Sequence, residues 1–509
     1  MKYTEEKNTV IRGAGYSIAG RASGAFLGLV ALALLYRFFE SDTGLWAFAF
    51  SIIIMIEPFA RCGLTEGVQK FTAVNVEKKN WAGVRGTLLG GIQIASIACV
   101  TVTAIFILFT PQIASFFSKN TEFSDEIPRL SRVLKLYSLY LLPLVLTTIM
   151  LAFLRALKNI RITVFIENVF NRVAWITVII TAALIPTRYD RLLLLIFGAN
   201  ITMAAAALIT ALCIPRAAPQ LKKTVPVYQR KELLLFSIPL VFQSILLIFM
   251  KRVDILMLKY FYSIEGFDYV RTYYAAGTIA FQAGIILSAF ASLFAPMIAG
   301  VYHRHDLKQL DNLYKTVTRW CMICALPVII FILVVPDLAL QALNITPSPA
   351  AQLTVRLLTI GQLISISVGH SGYMLIMSGH TRLTLTNNSI ALVANVILNY
   401  ILIPQYAMPG AAIATVVAIT LRNMLSLVEV RYILSASPFS RATLKFAGLA
   451  LAAGATVAVM RIILPPLYWY IELPLSCLIF GAIYLPMMWF TLSTDDRNFF
   501  TNFIRRKHL

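Results

Sequence analysis

The chain has 509 residues, 59% of them apolar and 13% charged, and its 44 Lys and Arg against 23 Asp and Glu leave a formal charge of +21. Soluble chains carry about 45–50% apolar and about 25% charged residues, so a soluble enzyme is excluded, as are disordered, collagenous and disulfide-stapled chains. What remains is a polytopic membrane protein whose surplus cations serve topology and contact with anionic lipid rather than nucleic acid.

A hydrocarbon core about 30 Å thick takes about 20 apolar residues as a helix. In chain order such runs fall at 14–38, 44–62, 86–110, 132–154, 162–185, 190–214, 232–259, 271–298, 317–336, 354–378, 384–403, 409–433, 444–464 and 467–491. They are apolar throughout rather than at every second position, which predicts an all-α integral membrane fold of 14 transmembrane helices, not a barrel. The first run starts too late and runs too long for a cleaved signal peptide. With the N-terminus placed in the cytoplasm, the segments in and beside cytoplasmic loops and tails hold 27 Lys and Arg against 11 on the other side, which puts both termini inside. The outer loop after span three carries Glu122, Asp125 and Glu126, as that orientation expects.

The longest polar interruption, 215–231, follows the sixth span. It divides the chain into an N-terminal six-helix lobe (1–214), a cytoplasmic linker (215–231), a C-terminal six-helix lobe (232–435) and a segment (436–509) with spans thirteen and fourteen and a cytoplasmic tail. The lobes echo each other: Arg161-Ile162-Thr163-Val164 after span four recurs 221 residues later as Arg382-Leu383-Thr384-Leu385. Long basic loops also follow both second spans, from Gly63 to Arg85 and from Ala295 to Arg319. Six spans per half make the repeat parallel, and such repeats place a substrate path where the halves meet.

Three stretches resemble the multidrug/oligosaccharidyl-lipid/polysaccharide (MOP) exporter superfamily, in its polysaccharide transporter branch of lipid-linked oligosaccharide flippases. They are Asn395-Val396-Ile397-Leu398-Asn399-Tyr400-Ile401-Leu402-Ile403-Pro404 with Gly410-Ala411-Ala412-Ile413-Ala414-Thr415, Arg252-Val253-Asp254-Ile255-Leu256-Met257-Leu258 with Tyr273-Tyr274-Ala275-Ala276, and Gly63-Leu64-Thr65-Glu66-Gly67-Val68-Gln69-Lys70-Phe71. The segment Pro404–Gly410 departs from the family's Tyr-Gly turn, with Ala407 and then Met408-Pro409.

Ionisable groups inside spans cost about 2.5–3.5 kcal/mol each on the insertion scale, so each needs a partner or a task. Glu57 and Arg61 stand four apart in the favourable order, as a structural ion pair or a transport pair. Lys251 and Asp254, three apart, are expected to form a structural ion pair or a transport pair; if they pair with each other, Arg252, about 100° round the helix, is expected to keep its charge for another task. Arg21 has no acid three or four positions away, so it must snorkel, pair with another helix or face a water-filled cavity, and the cavity is the expectation; the small-residue stripe Gly20, Gly24 and Gly28 beside it lets a neighbouring helix approach closely. Arg172 stands five positions from Glu167, is not stacked with it, and is the second cavity candidate. Arg422, Ser426 and Glu429 form a stripe on span twelve that either lines the cavity or makes a packing seam, and Asn388, Asn395 and Asn399 on span eleven read as interhelical hydrogen bonding. His370, mid-span ten between Gly369 and Gly372, is either structural or a proton relay.

Cys321-Met322-Ile323-Cys324 lies in an apolar span with no second Cys or His set, so no metal site is read there, and no phosphate loop for ATP occurs. The basic end Arg505-Arg506-Lys507 suits anionic lipid, and Tyr468-Trp469-Tyr470 an interfacial aromatic belt.

Flippases of the resembled superfamily hold the lipid carrier's pyrophosphate with arginines on the first and other cavity-lining helices. Arg21 resembles the first-helix arginine by position; with the residue readings above, Arg21, Arg172, Arg252 and Arg422 are the expected pyrophosphate ligands, and Glu57, Arg61, Lys251, Asp254 and His370 the expected ion-coupling or ion-pair residues. The resemblance implies a transporter, not an enzyme, that flips polyprenyl-pyrophosphate oligosaccharide from the cytoplasmic to the outer leaflet of the cell membrane by alternating access. No cofactor is expected beyond coupling to an H+ or Na+ gradient. Expected partners are membrane lipids and the polymerase or glycosyltransferases of a polysaccharide pathway, with the chain itself a monomer. Spans thirteen and fourteen would shield the lipid tail. The rival, a cation-coupled multidrug antiporter, would rest on the acids Glu57, Asp254 and Glu167. A glycosyltransferase or polymerase would need a large catalytic outer loop, and the longest here is about twenty residues.

Overall fold

In lipid a backbone cannot leave its N–H and C=O groups to water, and the chain satisfies them helix by helix. The computed structural model describes residues 2–40, 42–118, 126–185, 190–262, 265–304, 306–439, 441–465, 467–494 and 496–497, and among these every regular element is helical. Glu122, Asp125, Arg505, Arg506 and Lys507 lie outside the described residues. In order the elements are α1 (Lys2–Phe38), α2 (Asp42–Arg61), α3 (Leu64–Glu77), α4 (Trp81–Phe117), α5 (Glu126–Ser138), α6 (Leu141–Ala156) and α7 (Ile160–Val164). A π-helical turn, Phe165–Phe170, leads into α8 (Asn171–Leu184), followed by α9 (Arg191–Ala217), α10 (Arg230–Phe261), α11 (Gly266–His303) and α12 (Leu307–Val334). The chain ends with α13 (Pro336–Ala342), α14 (Pro349–Val368), α15 (Ser371–Met377), α16 (Thr381–Leu434), α17 (Arg441–Ile463) and α18 (Trp469–Thr491).

Among the described residues thirteen helical segments are long and apolar enough to cross a membrane, and one of them counts twice. At 54 residues α16 would measure about 80 Å as a straight helix, far more than one bilayer needs. It breaks at Ala407 (φ 49°, ψ −125°), which yields the fourteen spans. The helix does not end at 403, where the predicted span stops; it runs through Pro404 and turns at Ala407, and Gly410 lets the backbone pass close to the Leu402 carbonyl. Two of the expected basic loops are largely helical. After a left-handed step at Cys62 (φ 52°) and Gly63 (φ 64°), α3 fills most of 63–85, and α11 continues past Ala295 to His303.

The repeat has a structural counterpart at the same spacing. Helix α6 ends over Lys158 (φ 60°) and α15 over Gly379 (φ 88°), 221 residues apart. At the first end the Leu157, Lys158 and Asn159 amides donate to the Phe153, Arg155 and Leu154 carbonyls; at the second the Ser378, Gly379 and His380 amides donate to the Met374, Ile376 and Leu375 carbonyls. Each bond is the image of its partner, and the long-range one is the closing bond of a left-handed helix cap.

By packing, the chain divides into Met1–Arg271 and Thr272–Leu509, a boundary inside α11. The 215–231 segment belongs wholly to the first unit because it is fastened to α4. The Val227 amide donates to the Ala82 carbonyl at 3.0 Å, Arg85 donates to the Thr224 carbonyl, and α10 packs on α2, α3 and α4. In the second unit, α17 and α18 dock on α12. The Tyr484 hydroxyl donates to the Ile323 carbonyl at 2.8 Å, and Gly454 brings α17 against Ile330. Both ends of this helix pair are clamped by charge. Arg461 grips Asp337 and Glu472 at one end, and beyond the other Arg319 (2.8 Å) and Trp320 (2.7 Å) donate to Asp496 Oδ1. Burial raises the Asp496 carboxyl, yet hydrogen bonds from Ser493 and Trp320 and the nearby Arg319 hold it below its ordinary range.

Candidate functional site

The glycine stripe of α1 faces the start of span five. Gly20 meets Val164; a Cβ at Gly24 would come within 2.9 Å of the Asn168 side chain and 3.1 Å of its carbonyl. At Gly28 the neighbour is the Arg172 guanidinium, its Cζ 3.7 Å from where a Cβ would stand. Small residues let the two backbones close up, and the guanidinium lies across the glycine surface. Arg172 is open rather than buried, and among the described residues no carboxylate lies within ion-pair distance of it. Arg21 is half-buried on α1, seven residues and so about 10 Å along the axis from Gly28.

Glu167 does not serve Arg172, as the five-residue spacing expected. It pairs instead with Arg155 at the end of α6, across the Lys158 turn. The π-helical turn around Glu167 shifts the register between it and Arg172, an irregularity frequent at functional sites.

Arg252 on α10 stands over the Phe50 ring of α2, 5.4 Å from Cζ to centroid. Phe50 stacks on Trp46 (5.5 Å, 5°), and Trp46 on Trp175 of α8 (6.1 Å, 25°). An aromatic row thus joins Arg252 to the helix that carries Arg172 three residues before Trp175. Neither the row nor Asn168 was singled out by sequence reading; the signal available was the clustering of Trp46, Phe50, Tyr137, Tyr140 and Trp175 in otherwise aliphatic spans.

The other candidates separate. Glu57 and Arg61 form the i, i+4 pair at 3.3 Å, and Arg61 also donates to the Ser244 hydroxyl of α10. Asp254 is buried and Lys251 exposed on the same helix. Arg422 belongs to the second unit, half-buried, its guanidinium 3.5 Å from the Asn423 amide oxygen; Asn423 in turn donates to Ser365 at 3.1 Å. Ser426 and Glu429 make a packing seam, both accepting from Asn387, and Asn399 donates to Asn395 at 3.1 Å. His370 is not inside a helix. It occupies the break between α14 and α15 opened by Gly369 (φ 68°), with Nε2 2.9 Å from the Leu287 carbonyl. A carbonyl only accepts, so Nε2 carries the proton, and the buried Nδ1 has no hydrogen-bond partner among the described residues.

A further buried pair lies in the first unit: Lys259, fully enclosed, donates to Glu126 at 2.8 Å and sits 4.0 Å from the centre of the Phe267 ring. Arg129 ties Asp42 (2.8 Å) to Asp190 (3.4 Å), the N-cap of α9.

Helices of this length, number and connection define a multi-pass membrane protein, and its fold is that of MOP superfamily transporters. The inward closed lipid II flippase MurJ is similar at TM-score 0.71 and 14% identity over 92% of this chain and 97% of that one. A multidrug resistance MATE family transporter in its inward-facing conformation gives 0.65 and 14% (83% and 94%). A MOP superfamily transporter from Pyrococcus furiosus, described by the reverse polarity of its binding pocket, gives 0.63 and 14% (84% and 96%). The family model for polysaccharide biosynthesis proteins matches residues 35–344, and the chain belongs to that family. No curated protein matches it.

Proposed function

We propose that the protein is a flippase for polyprenyl-pyrophosphate-linked oligosaccharide, working by alternating access from the cytoplasmic to the outer leaflet of the cell membrane with both termini inside. One observation carries the reading: Arg172 lies on the glycine seam of α1 without an acid among the described residues, while two of the three acids that would serve a cationic drug, Glu57 and Glu167, are taken up by Arg61 and Arg155. A guanidinium fork donates paired hydrogen bonds to phosphate oxygens and stays ionised in a poorly hydrated site. A bare pyrophosphate cannot cross hydrocarbon, so a cationic path open to each face in turn removes the barrier without covalent chemistry.

In this account Arg21, Arg172 and Arg252 hold the pyrophosphate. Asp254 with Lys251, or His370, couples the cycle to an H+ or Na+ gradient, and Glu57–Arg61 is structural. The protein acts as a monomer, without a cofactor, beside the polymerase or glycosyltransferases of its pathway.

The test is delivery of lipid-linked oligosaccharide to the outer leaflet of reconstituted vesicles. Replacing Arg21, Arg172 and Arg252 singly with Ala should each reduce delivery tenfold or more, about what losing one charge-assisted contact costs. Full delivery by all three variants, with loss instead on Glu57→Gln or Asp254→Asn, would establish the antiporter-like chemistry.

A further inference from the structure

The face of α8 that carries Arg172 also carries an aromatic plane whose purpose packing alone does not supply. Val173, Thr177, Ile180 and Leu184 recur at helical spacing and are exposed, which marks the lipid side; Val178, Ile179 and Ala182 are buried on the other side. Trp175 falls with the buried set, three residues before Val178 and seven before Ala182, yet its side chain is only half-buried. Among the described residues one aromatic ring meets it, Trp46 at 6.1 Å, and Trp46 is itself fixed from behind by Phe50 at 5.5 Å. Trp175 is therefore a braced indole, backed by one ring. Residues three apart on a helix are neighbours, about 5–6 Å between Cβ atoms, so this plane adjoins the Arg172 guanidinium.

We propose that Trp175 is a sugar-stacking residue that receives the first sugar joined to the pyrophosphate while Arg172 holds the phosphate, a proposal that rests on the pyrophosphate reading above. A pyranose presents a flat face of C–H groups and a rim of hydroxyls. Laid on an indole it removes apolar surface from water and sets polarised C–H groups against the electron-rich ring face, while the rim stays hydrated. The phosphate and the first sugar are one glycosidic linkage apart, as the two side chains are one helical turn apart. Trp175 thus distinguishes loaded carrier from bare carrier, a discrimination that a phosphate contact alone cannot make.

The experiment measures binding of two probes to purified full-length protein: undecaprenyl pyrophosphate, and undecaprenyl pyrophosphate bearing one N-acetylglucosamine. Wild type should prefer the sugar-bearing lipid about three- to tenfold, the range of a single aromatic contact. Trp175→Leu should bring that ratio close to one, and Trp175→Tyr should keep most of it. Should Trp175→Leu not fold, the fluorescence of wild type and Trp175→Phe decides: a blue shift with the sugar-bearing lipid alone, absent in Trp175→Phe, supports the subsite. An unchanged ratio in Trp175→Leu, or a shift that persists in Trp175→Phe, overturns it and leaves Trp175 as bundle packing. Failure of the underlying reading looks different: Arg172→Ala would then bind undecaprenyl pyrophosphate as tightly as wild type.

Discussion

Two regions use arginine in opposite ways. Where α17 and α18 dock on α12, Arg461 faces Asp337 and Glu472, and Arg319 faces Asp496; every guanidinium named there is matched by a carboxylate. On the α1–α8 seam Arg172 faces glycine, with no carboxylate within reach among the described residues. The same side chain fastens helices in one place and, on the proposed reading, is left for an anion in the other, and the neighbour's sequence decides which. A buried charge whose partner is removed is costly, whereas a cation that already lacks one has no such bond to lose.

Substitutions can break this contrast at graded cost. Arg461→Ala leaves Asp337 and Glu472 facing each other without their cation, and should lower the unfolding free energy in detergent by about 3 kcal/mol. Gly24→Leu forces side-chain volume into Asn168 and its carbonyl and should cost about 1–3 kcal/mol, with loss of transport because Arg172 is pushed off its seat. Asp496 contributes stability that is fully present above its ordinary value of 3.8 and is lost as pH falls through its lower folded value. Melting curves of wild type and Asp496→Asn should therefore differ at neutral pH and converge below about pH 4. Glu167→Gln should change stability least, by less than about 1 kcal/mol, because its pair with Arg155 is more than a third exposed on the Glu side.

The sequence made some of this legible, and the reasons are local. Hydropathy located the spans because each is a continuous run, and Glu57–Arg61 could be paired because i, i+4 fixes the geometry. The repeat appeared through Arg161 and Arg382, but its structural basis is a left-handed turn that one half builds on Lys158 and the other on Gly379, residues with no resemblance. Glu167 seemed available because its partner Arg155 lies beyond that turn, twelve residues back. The clamp between Arg461 of α17 and Asp337 of α13 joins residues 124 positions apart and was invisible to any spacing rule. His370 read as mid-helix because only the φ of Gly369 reveals the break. The glycine stripe was legible as a close approach, but not what approaches it: Asn168 and Arg172.

The contrast between the two regions comes to a point at Arg172, and equilibrium binding of undecaprenyl pyrophosphate at two salt concentrations tests it most directly. Arg172→Ala should bind about 10- to 100-fold more weakly than wild type, with a shallower salt dependence and a melting temperature little changed. Equal affinity and equal salt dependence in the two proteins would contradict the account, since an anion held at that seam must register the loss of its cation.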